Sequence, residues 1–495
     1  MSRMGVICTW AVASIVGPGC YESERAAPPV VPRGPGPGGA PRSSDLDLLV
    51  LVDNSNSMRE EQTNLTANFG ALVRALVDPP DEDGNGVPDW NAVESLHVGV
   101  ISSDMGTSSY PVTTCDNAER GDDGVLQNLP APDLEGCDPT YPSYLSFESG
   151  DDPMAFAGDF ECIATLGTGG CGFEQQLGAM EKAITVHAAD WAANDGFLRD
   201  DAILAILLVT DEEDCSISDP GIFADDDSLG PLSLRCFENP EMIRPVADFV
   251  SAALQSKPGH PERLVVAAIT GVPVDLVALT EADLASDDIM TRVDYEDILT
   301  DPRMVETIDY SPEGGGNRLV PSCYVPGLGT AFPPRRIVEW VRDVEDWGGS
   351  GVVQSICQAD WQPTMRAISR LIGGVLHAAC LARPLAGPGG IPLATAEHAD
   401  CIVREELTHN GACPAGRFEV DETQDGNTIC QVCQAGDGED PYLIDSLGTS
   451  LAACAGSVAY WFYTTEDDDC GARGKIAFTD GHEPEPGSRV DLRCL

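Results

Sequence analysis

The chain has 495 residues, of which 81 are acidic and 28 are basic, so its formal net charge is −53. A surface this negative repels phosphate groups, which excludes nucleic acids and anionic lipid headgroups as favourable partners. The hydrophobic content of 42% is typical of a globular protein, and the length allows two or three domains. Adaptation to a salty environment explains the acidic excess equally well, so the charge alone assigns no function.

The N-terminus has the pattern of an export signal. Arg3 precedes a short apolar segment, residues 6–16, and small residues then lead to Cys20. The apolar segment is too short to span a bilayer. We therefore predict a lipoprotein-type signal peptide over residues 1–19, with Cys20 as the lipidated residue; simple secretion is the alternative. Residues 20–44 are rich in proline and glycine and are predicted to form an extended tether.

The cysteine count supports export. The chain has 18 cysteines, and Cys8 leaves with the predicted signal peptide. If Cys20 is lipidated, sixteen cysteines remain, which is an even number and enough for eight disulfides. Abundant cysteine in an exported chain indicates an oxidising compartment.

An apolar run at residues 46–52 predicts a strand that is buried on both faces, as in a parallel sheet. Small oxygen-bearing side chains follow it, with Asp53, Ser55 and Ser57 spaced two residues apart. Such oxygens are suitable ligands for Mg²⁺, Ca²⁺ or Mn²⁺. The alternative is a serine-rich turn whose hydroxyls cap the next helix, which is predicted to begin at Met58.

A second candidate cation site lies in the segment that follows this helix. Asp81, Asp83, Asn85 and Asp89 occupy positions 1, 3, 5 and 9 of a loop with Gly86 at position 6. The pattern resembles the Ca²⁺ loops of EF-hand and thrombospondin type 3 repeats. No glutamate closes the loop at position 12, so a solvated acidic turn is the alternative.

A second buried strand is predicted at residues 96–101, and it ends in Ser102, Ser103 and Asp104. If the strands are parallel, Asp104 lies at the same sheet edge as Asp53. A long insertion follows, in which we expect Cys115 to pair with Cys137. Long loops at this edge of a sheet commonly carry binding specificity.

Two further segments also carry candidate cation ligands. A glycine-rich turn at residues 167–172 contains Thr168 and Cys171 and leads into a predicted helix. Residues 202–209 form a continuous apolar run that ends in Thr210 and Asp211, and residues 212–214 add three more carboxylates. Four successive carboxylates repel one another, and a bound cation would relieve that repulsion. A solvated acidic loop held by a disulfide between Cys215 and Cys236 is the alternative.

The segments at residues 46–57, 167–172 and 202–211 together resemble von Willebrand factor A (VWA) domains. Asp53, Ser55 and Ser57 match the DxSxS motif of the family's metal-ion-dependent adhesion site (MIDAS), and Asp211 matches the aspartate that completes it. The resemblance implies a doubly wound, mostly parallel α/β sheet over residues 45–382, with Asp53, Ser55, Ser57, Asp211 and Thr168 around Mg²⁺, Ca²⁺ or Mn²⁺.

The chain departs from the family pattern at one position. Aligning the glycines puts Cys171 in the place of the family's metal-binding threonine, with Thr168 three residues earlier. We expect Cys171 to form a disulfide with Cys162 and so to be unavailable as a thiolate ligand. The site then lacks one oxygen unless Thr168, Glu174 or water replaces it.

The alternation of helices and strands continues to residue 379. It predicts helices at residues 240–254, 337–347 and 364–379, strands at 264–269 and 352–356, and a disulfide between Cys323 and Cys357. Residues 383–495 contain closely spaced cysteines and short apolar runs, which predict a small disulfide-rich β module. A redox pair or half of a zinc site at Cys430 and Cys433 is the less favoured interpretation.

The seven histidines are scattered, and no metalloprotease, nucleophile-elbow or phosphate-loop motif is present. We therefore predict that the protein is not an enzyme but a metal-dependent binding or adhesion protein, whose protein partner presents a carboxylate to the cation. The alternative is a Ca²⁺-stabilised structural protein of an envelope or matrix, with a degenerate MIDAS; a metal-dependent hydrolase ranks third. The layout resembles predicted VWA lipoproteins of bacterial envelopes, which implies an outer-membrane or surface-exposed location.

Overall fold

A computed structural model of the chain describes residues 45–80, 92–132, 134–277, 295–310, 317–326, 329–358 and 360–376, followed by short segments between residues 401 and 494. The predicted signal peptide, the tether, Cys20 and the candidate Ca²⁺ loop at 81–89 lie outside the described residues. Within the described part of the chain, no helix combines the length and the apolar character needed to span a membrane.

The central sheet has six strands, and five of them are parallel. In chain order the strands are β1 (Asp45–Val52), β2 (Ser95–Ser102), β3 (Leu145–Glu148), β4 (Ile203–Val209), β5 (Leu264–Thr270) and β10 (Ser350–Ser355). Their order across the sheet is β10-β5-β4-β1-β2-β3, and β3 alone is antiparallel to its neighbour. The predicted mixed α/β fold with a mostly parallel sheet is confirmed. The short strand β3 lies inside the insertion, where no strand was predicted.

Helices cover both faces of this sheet. They are α1 (Glu61–Val77), α2 (Pro153–Ala164), α3 (Gln176–Ile184), α4 (Arg235–Glu238), α5 (Val246–Ser256), α6 (Val274–Val277), α7 (Tyr295–Thr300), α8 (Arg335–Asp346) and α9 (Gln362–Leu376). Shorter 3-10 turns lie at Ser57–Arg59, Pro220–Phe223, Asp227–Leu229, Leu232–Leu234, Pro240–Met242, Pro261–Arg263 and Pro302–Met304.

The parallel strands are mostly apolar because both of their faces are buried; Asp47 in β1 and Gln354 in β10 are among the buried polar exceptions. Alternate side chains of β1 enter two separate cores: Leu48 and Val50 pack with α1, α2 and α9, whereas Leu49 and Leu51 pack with α3, α5 and α8. All four side chains are fully buried, and burying each contributes about 1.5–3 kcal/mol. Two layers of helices thus fix the sheet and leave its carboxyl edge free to carry loops.

The predicted helix at 240–254 is wrong in its first turn. Residues Pro240–Met242 form a 3-10 turn, Ile243 pairs with Ile217 in an isolated β-bridge, and the α-helix begins only at Val246. Pro245 explains the break, because a residue that precedes proline is forced towards extended backbone.

Two small hairpins lie beside the central sheet. They are formed by β6 (Ile308–Asp309) with β7 (Arg318–Leu319), and by β8 (Cys323–Val325) with β9 (Gly329–Ala331). The predicted disulfides Cys323–Cys357 and Cys215–Cys236 are both present.

The described C-terminal segments form an eight-stranded sheet. Its strands are β11 (Cys401–Glu406), β12 (Arg417–Glu422), β13 (Thr428–Gln434), β14 (Tyr442–Ile444), β15 (Ser450–Ala453), β16 (Tyr460–Thr464), β17 (Lys475–Phe478) and β18 (Arg489–Cys494). Cys430 pairs with Cys413, and Cys433 is also disulfide-bonded, so neither cysteine is a free thiol. The disulfides of the chain indicate an extracellular or envelope protein.

Candidate metal centre

The ends of β1 and β4 lie side by side at the carboxyl edge of the central sheet. The backbone N–H of Asp53, the first residue after β1, donates a hydrogen bond to the carbonyl of Val209, the last residue of β4, over 2.9 Å. The turns that follow the two strands are therefore adjacent. Parallel pairing of β1 with β4 in register produces this arrangement.

The carboxylate of Asp53 is fully buried and receives three hydrogen bonds. Its Oδ1 accepts from the backbone N–H of Ser55 at 2.8 Å and from the hydroxyl of Ser103 at 3.1 Å. Its Oδ2 accepts from the hydroxyl of Thr210 at 2.6 Å. Burial raises the pKa of Asp53, and these donors oppose that rise. The side chain is thus held in one orientation between the ends of three strands.

Two serine hydroxyls connect this turn to Asp211. The Oγ atoms of Ser55 and Ser57 are 2.8 Å apart, and the Ser57 hydroxyl donates to Asp211 Oδ1 at 3.3 Å. The other oxygen, Asp211 Oδ2, is buried and has no hydrogen-bond partner among the described residues. Asp53, Ser55, Ser57 and Asp211 therefore lie in one connected group of oxygens. A hard divalent cation fits this donor set, because it accepts carboxylate and hydroxyl oxygens and would supply the partner that Asp211 Oδ2 lacks.

The glycine-rich turn closes the same site from the opposite side. Gln62 on α1 binds both backbone polar atoms of Gly167, and the Gly170 N–H donates to the carbonyl of Asn54 at 2.8 Å. A Cβ at Gly170 would overlap the Asn54 side-chain amide, so a larger residue there would displace that amide. Thr168 is half-buried, and together with Ser55 and Ser57 it lines an open cleft of about 450 Å³. No hydrogen bond joins Thr168 to the four-residue group in the described structure.

Cys171 is disulfide-bonded, but not to the predicted partner. The structure pairs Cys115 with Cys171 and Cys137 with Cys162. The predicted pairs Cys162–Cys171 and Cys115–Cys137 are both wrong. Closeness in sequence favours those pairs, whereas in the structure the insertion is linked to the glycine-rich turn through Cys115–Cys171 and to α2 through Cys137–Cys162. Cys171 is fully buried and cannot supply a thiolate to a metal.

The four carboxylates at residues 211–214, after β4, differ in their contacts with Arg336. Arg336 forms an ion pair with Asp214 at 3.0 Å, and its backbone N–H donates to both carboxylate oxygens of Glu213. Within the described residues, no lysine, arginine or histidine forms an ion pair with Asp211 or Glu212. Asp214 therefore has an ion-pair partner among these residues, whereas Glu213 is held by backbone N–H groups and burial raises its pKa well above its usual value.

Glu174 adds a further carboxylate to this end of the sheet. It is 4% exposed and lines the same cleft as Glu212. Burial raises the pKa of Glu174 well above its usual value, and the negative charges of Glu212, Asp53 and Asp211 raise it further. Burial and the charge of Asp53 raise the pKa of Glu212 to about 7. Without a cation, the site favours protonated carboxyls.

The structure places the remaining predicted residues as follows. Asp81, Asp83, Asn85, Asp89 and Cys20 lie outside the described residues. Asp104 is buried at the expected sheet edge, but it accepts a hydrogen bond from the N–H of Gly106 and shapes the insertion, whereas Ser103 binds Asp53.

Three residues that hold the site were not predicted to do so: Gln62, Ser103 and Thr210. Ser103 and Thr210 each follow directly after a predicted strand, and that position was the only available signal. No sequence signal pointed to Gln62, because its role depends on a turn that is 105 residues away in sequence.

A search restricted to three or more His, Cys, Asp or Glu side chains finds no group in the described residues that is arranged to hold a metal ion. The candidate centre differs from such groups because two of its four connected side chains are serines.

Comparisons with known proteins assign no family. No protein-family model and no curated protein matches the chain. Among solved structures, proximal thread matrix protein 1 from mussel byssus is 14% identical, with 48% of this chain and 39% of that chain covered and a TM-score of 0.22. The pilus adhesin RrgA from Streptococcus pneumoniae is 11% identical, with 92% and 57% covered and a TM-score of 0.19. The chain thus spans less than two thirds of either protein, and similarities this low carry no argument about fold or function.

Proposed function

We propose that this protein is an exported, divalent-cation-dependent binding protein whose α/β region, residues 45–382, is a VWA-like domain with a MIDAS-like site. In this proposal Asp53, Ser55, Ser57 and Asp211 hold Mg²⁺, Ca²⁺ or Mn²⁺, and Thr168 approaches from the glycine-rich turn. The observation that carries the proposal is the connected group of four oxygen-bearing side chains, in which Asp211 Oδ2 is buried without a partner.

Only part of the acidic run at residues 211–214 contacts Arg336, and this supports a cation at the remaining part. Arg336 forms an ion pair with Asp214 and its backbone N–H binds Glu213, whereas within the described residues Asp211 and Glu212 have no ion pair with a basic side chain. Ionising a buried carboxyl without a positive partner costs several kcal/mol, and a single dication between Asp211 and Glu212 would remove most of that cost. The arrangement is therefore better explained by a bound cation than by a plain acidic turn.

The proposed partner is a protein that presents a carboxylate to the cation. Ser57 is exposed and lines the cleft, so a cation held by its hydroxyl would be within reach of a partner in solution. Glu212 and the exposed Asp116 line the same cleft, and their charges repel an isolated carboxylate. We therefore propose that the partner's carboxylate is flanked by a lysine or arginine, which pairs with this acidic rim while the cation takes the carboxylate.

We further propose that the protein is anchored in the cell envelope as an outer-membrane lipoprotein through Cys20, with residues 20–44 as the tether. The C-terminal region, residues 383–495, is treated as a separate disulfide-rich module. A candidate Ca²⁺ loop at Asp81, Asp83, Asn85 and Asp89 would add a second, structural cation.

Isothermal titration of the EDTA-treated protein with MgCl₂ and CaCl₂ tests the proposal. We expect binding that Asp53→Ala abolishes and that Asp47→Ala leaves in place, because Asp47 is a buried β1 carboxylate that Arg199 neutralises at 2.7 Å. Cation binding that survives Asp53→Ala and Asp211→Ala would refute the assignment of the site. To separate binding of a partner from binding of the cation, immobilised protein is incubated with surface extracts with and without EDTA.

One observation favours the alternative function, a Ca²⁺-stabilised structural protein of an envelope or matrix. Cys171 stands where the family has a metal-binding threonine, and its disulfide bond removes it as a ligand. In that case a chelator lowers the unfolding temperature, while Ser55→Ala and Ser57→Ala leave partner binding intact. A metal-dependent hydrolase, the third candidate, would require two cations about 4 Å apart and turnover of an ester or peptide.

A further inference from the structure

The loop between α3 and β4, residues 185–202, carries an exposed tryptophan. Trp191 is 93% exposed, which is the highest value among the large apolar residues of the described chain. Tryptophan is highly buried on average in folded proteins, and Trp340, Trp361 and Trp461 of this chain are almost completely buried. An indole left in water forgoes the stabilisation that burial of an aromatic side chain supplies.

The backbone of the same residue is strained. Trp191 has a φ of 65°, in the left-handed region that favours glycine and tolerates asparagine and aspartate. In the described structure the other non-glycine residues with positive φ are small or acidic: Ser108, Ser109 and Asp123. The fold therefore loses free energy twice at residue 191, through its backbone and through its indole, and strain of this kind is typical of functional positions.

Hydrogen bonds fix the loop that presents Trp191. The backbone N–H of Trp191 donates to Asp195 Oδ2 at 3.0 Å. The buried amide of Asn194 donates to the carbonyl of Gly124 and accepts from the N–H of Leu126, both at 3.0 Å, while its backbone N–H donates to the carbonyl of His187 at 2.8 Å. A partner would therefore meet a pre-formed loop, and little conformational entropy would be lost on binding.

The charges around Trp191 are negative. Asp190 and Asp195 are exposed, and within the described residues neither forms an ion pair with lysine, arginine or histidine. The basic side chains of this stretch are already engaged, Lys182 and His187 with Asp123, and Arg199 with Asp47. A second copy of the chain, with its net charge of −53, would be repelled from this surface, whereas a cationic group would be attracted.

We propose that Trp191 binds an arginine side chain of a basic partner protein. The planar guanidinium stacks on the exposed indole, and Asp190 and Asp195 accept hydrogen bonds from its N–H groups. Arginine suits this surface better than lysine, because a guanidinium is planar and more weakly hydrated than an ammonium group. Tryptophan and arginine are also enriched among the residues that dominate the binding energy of protein interfaces.

This docking point is independent of the candidate metal centre. The loop leads into Ile203, the first residue of β4, so it lies at the amino edge of the sheet. Asp53 and Asp211 follow the last residues of their strands, at the opposite edge. All measurements are therefore made on the full chain in EDTA, where a failure of the proposed function does not affect the result.

Calorimetric titration with two synthetic peptides tests the proposal. One is acetyl-(Gly-Arg)₄-amide, and the other has lysine in place of every arginine. At about 150 mM NaCl, which screens long-range attraction to the acidic surface, we expect the arginine peptide to bind about threefold more tightly than the lysine peptide. Trp191→Ala should lower the affinity for the arginine peptide by about fivefold and abolish the preference. Trp347→Ala is the matched control, because it removes a tryptophan that is 39% exposed elsewhere on the surface, and it should bind both peptides like the parent.

Thermal unfolding distinguishes a binding residue from a structural one. Trp191→Gly relieves the strained backbone, so it should unfold at or above the temperature of the parent protein while it loses the preference for arginine. Lower unfolding temperatures of Trp191→Gly and Trp191→Ala, with peptide affinities unchanged, would assign Trp191 a structural role and overturn the proposal.

Three other results would also overturn it. The first is equal affinity of the parent protein for the two peptides at this salt concentration, which would mean attraction by charge alone. The second is a dimer in sedimentation that Trp191→Ala dissociates, which would make a second copy the occupant. The third is binding to phosphatidylcholine vesicles that Trp191→Ala abolishes, which would make the loop a lipid contact.

Discussion

The side-chain amide of Gln62 binds both polar backbone atoms of Gly167. Its Nε2 donates to the Gly167 carbonyl at 2.6 Å, and its Oε1 accepts from the Gly167 N–H at 3.1 Å. The same Nε2 also donates to the carbonyl of Asp53 at 3.1 Å. One buried amide on α1 therefore sets the spacing between the turn that carries Ser55 and Ser57 and the turn that carries Thr168.

Replacing Gln62 by alanine should loosen this spacing. The change leaves three backbone groups without their partner, and we expect a loss of about 1–3 kcal/mol of unfolding free energy and a decrease of about tenfold in cation affinity. Urea unfolding and calorimetric titration measure the two effects. Gln127→Ala is the control, because the Gln127 amide donates locally to the carbonyl of Val125; equal effects of the two variants would contradict the prediction.

The cation-free protein should lose stability as the pH rises from about 4.5 to 7. Burial raises the pKa of Glu61 from 4.5 to about 7, and the charges of Glu60 and Asp53 act in the same direction. The folded state then binds more protons than the unfolded state in this window, so the unfolding free energy decreases with pH. For Glu61 the decrease is on the order of 3 kcal/mol.

Urea unfolding at pH 5 and pH 7 in EDTA measures this dependence. Glu61→Gln should flatten it, because the amide keeps an acceptor for the Thr330 N–H but does not titrate. The neighbouring Glu60 is exposed, and Glu60→Gln should leave most of the dependence in place. If the cation-free protein became more stable towards pH 7, the sign of the prediction would be wrong.

The disulfide between Cys115 and Cys171 should matter for cation binding as well as for stability. It closes a sequence separation of 56 residues, for which chain entropy gives about 4 kcal/mol. Cys115→Ala/Cys171→Ala should lose a stability of this order and bind the cation more weakly, because both cleft-lining loops are freed. Cys137→Ala/Cys162→Ala opens a separation of 25 residues and should cost about 3.5 kcal/mol while sparing the affinity. Equal affinity losses in the two double variants would argue against this role.

Arg336 should be among the more important basic residues of the chain. It neutralises Asp214, which is fully buried, and its main chain binds Glu213. Arg336→Gln leaves a buried charge without its partner, which costs about 3 kcal/mol or more. Arg342→Gln removes ion pairs with Glu296, which is 66% exposed, and with the neighbouring Asp343, which is 34% exposed, and should cost less than about 1 kcal/mol. Chemical denaturation of both variants compares the two costs directly.

The local pattern of apolar residues was sufficient to predict most strands of the central sheet. Continuous apolar runs identified β1, β2, β4 and β5, because a strand buried on both faces admits few polar residues. The run for β10 was placed two residues late, since the strand begins at Ser350 with a polar side chain that is itself buried. The antiparallel β3 was missed because its residues Leu145–Glu148 alternate between buried and exposed in an acidic, glycine-rich insertion.

The candidate site was predictable to a lesser degree. Residues that directly follow a parallel strand converge at one edge, so Asp53 and Asp211 could be expected near each other. The disulfide pairing across that edge could not be predicted, because it depends on how the insertion folds back over the sheet. For the same reason, the contact of Gln62 with Gly167 left no trace in the sequence.

The link between Cys115 and Cys171 also determines how the molecule responds to proteases. Arg120 is exposed on the insertion, inside the ring of chain that this disulfide closes. A trypsin-like cut after Arg120 would therefore not release either fragment, and the walls of the cleft would remain covalently joined. In an environment rich in secreted proteases, a nicked molecule would run as one band on a gel until a reductant is added.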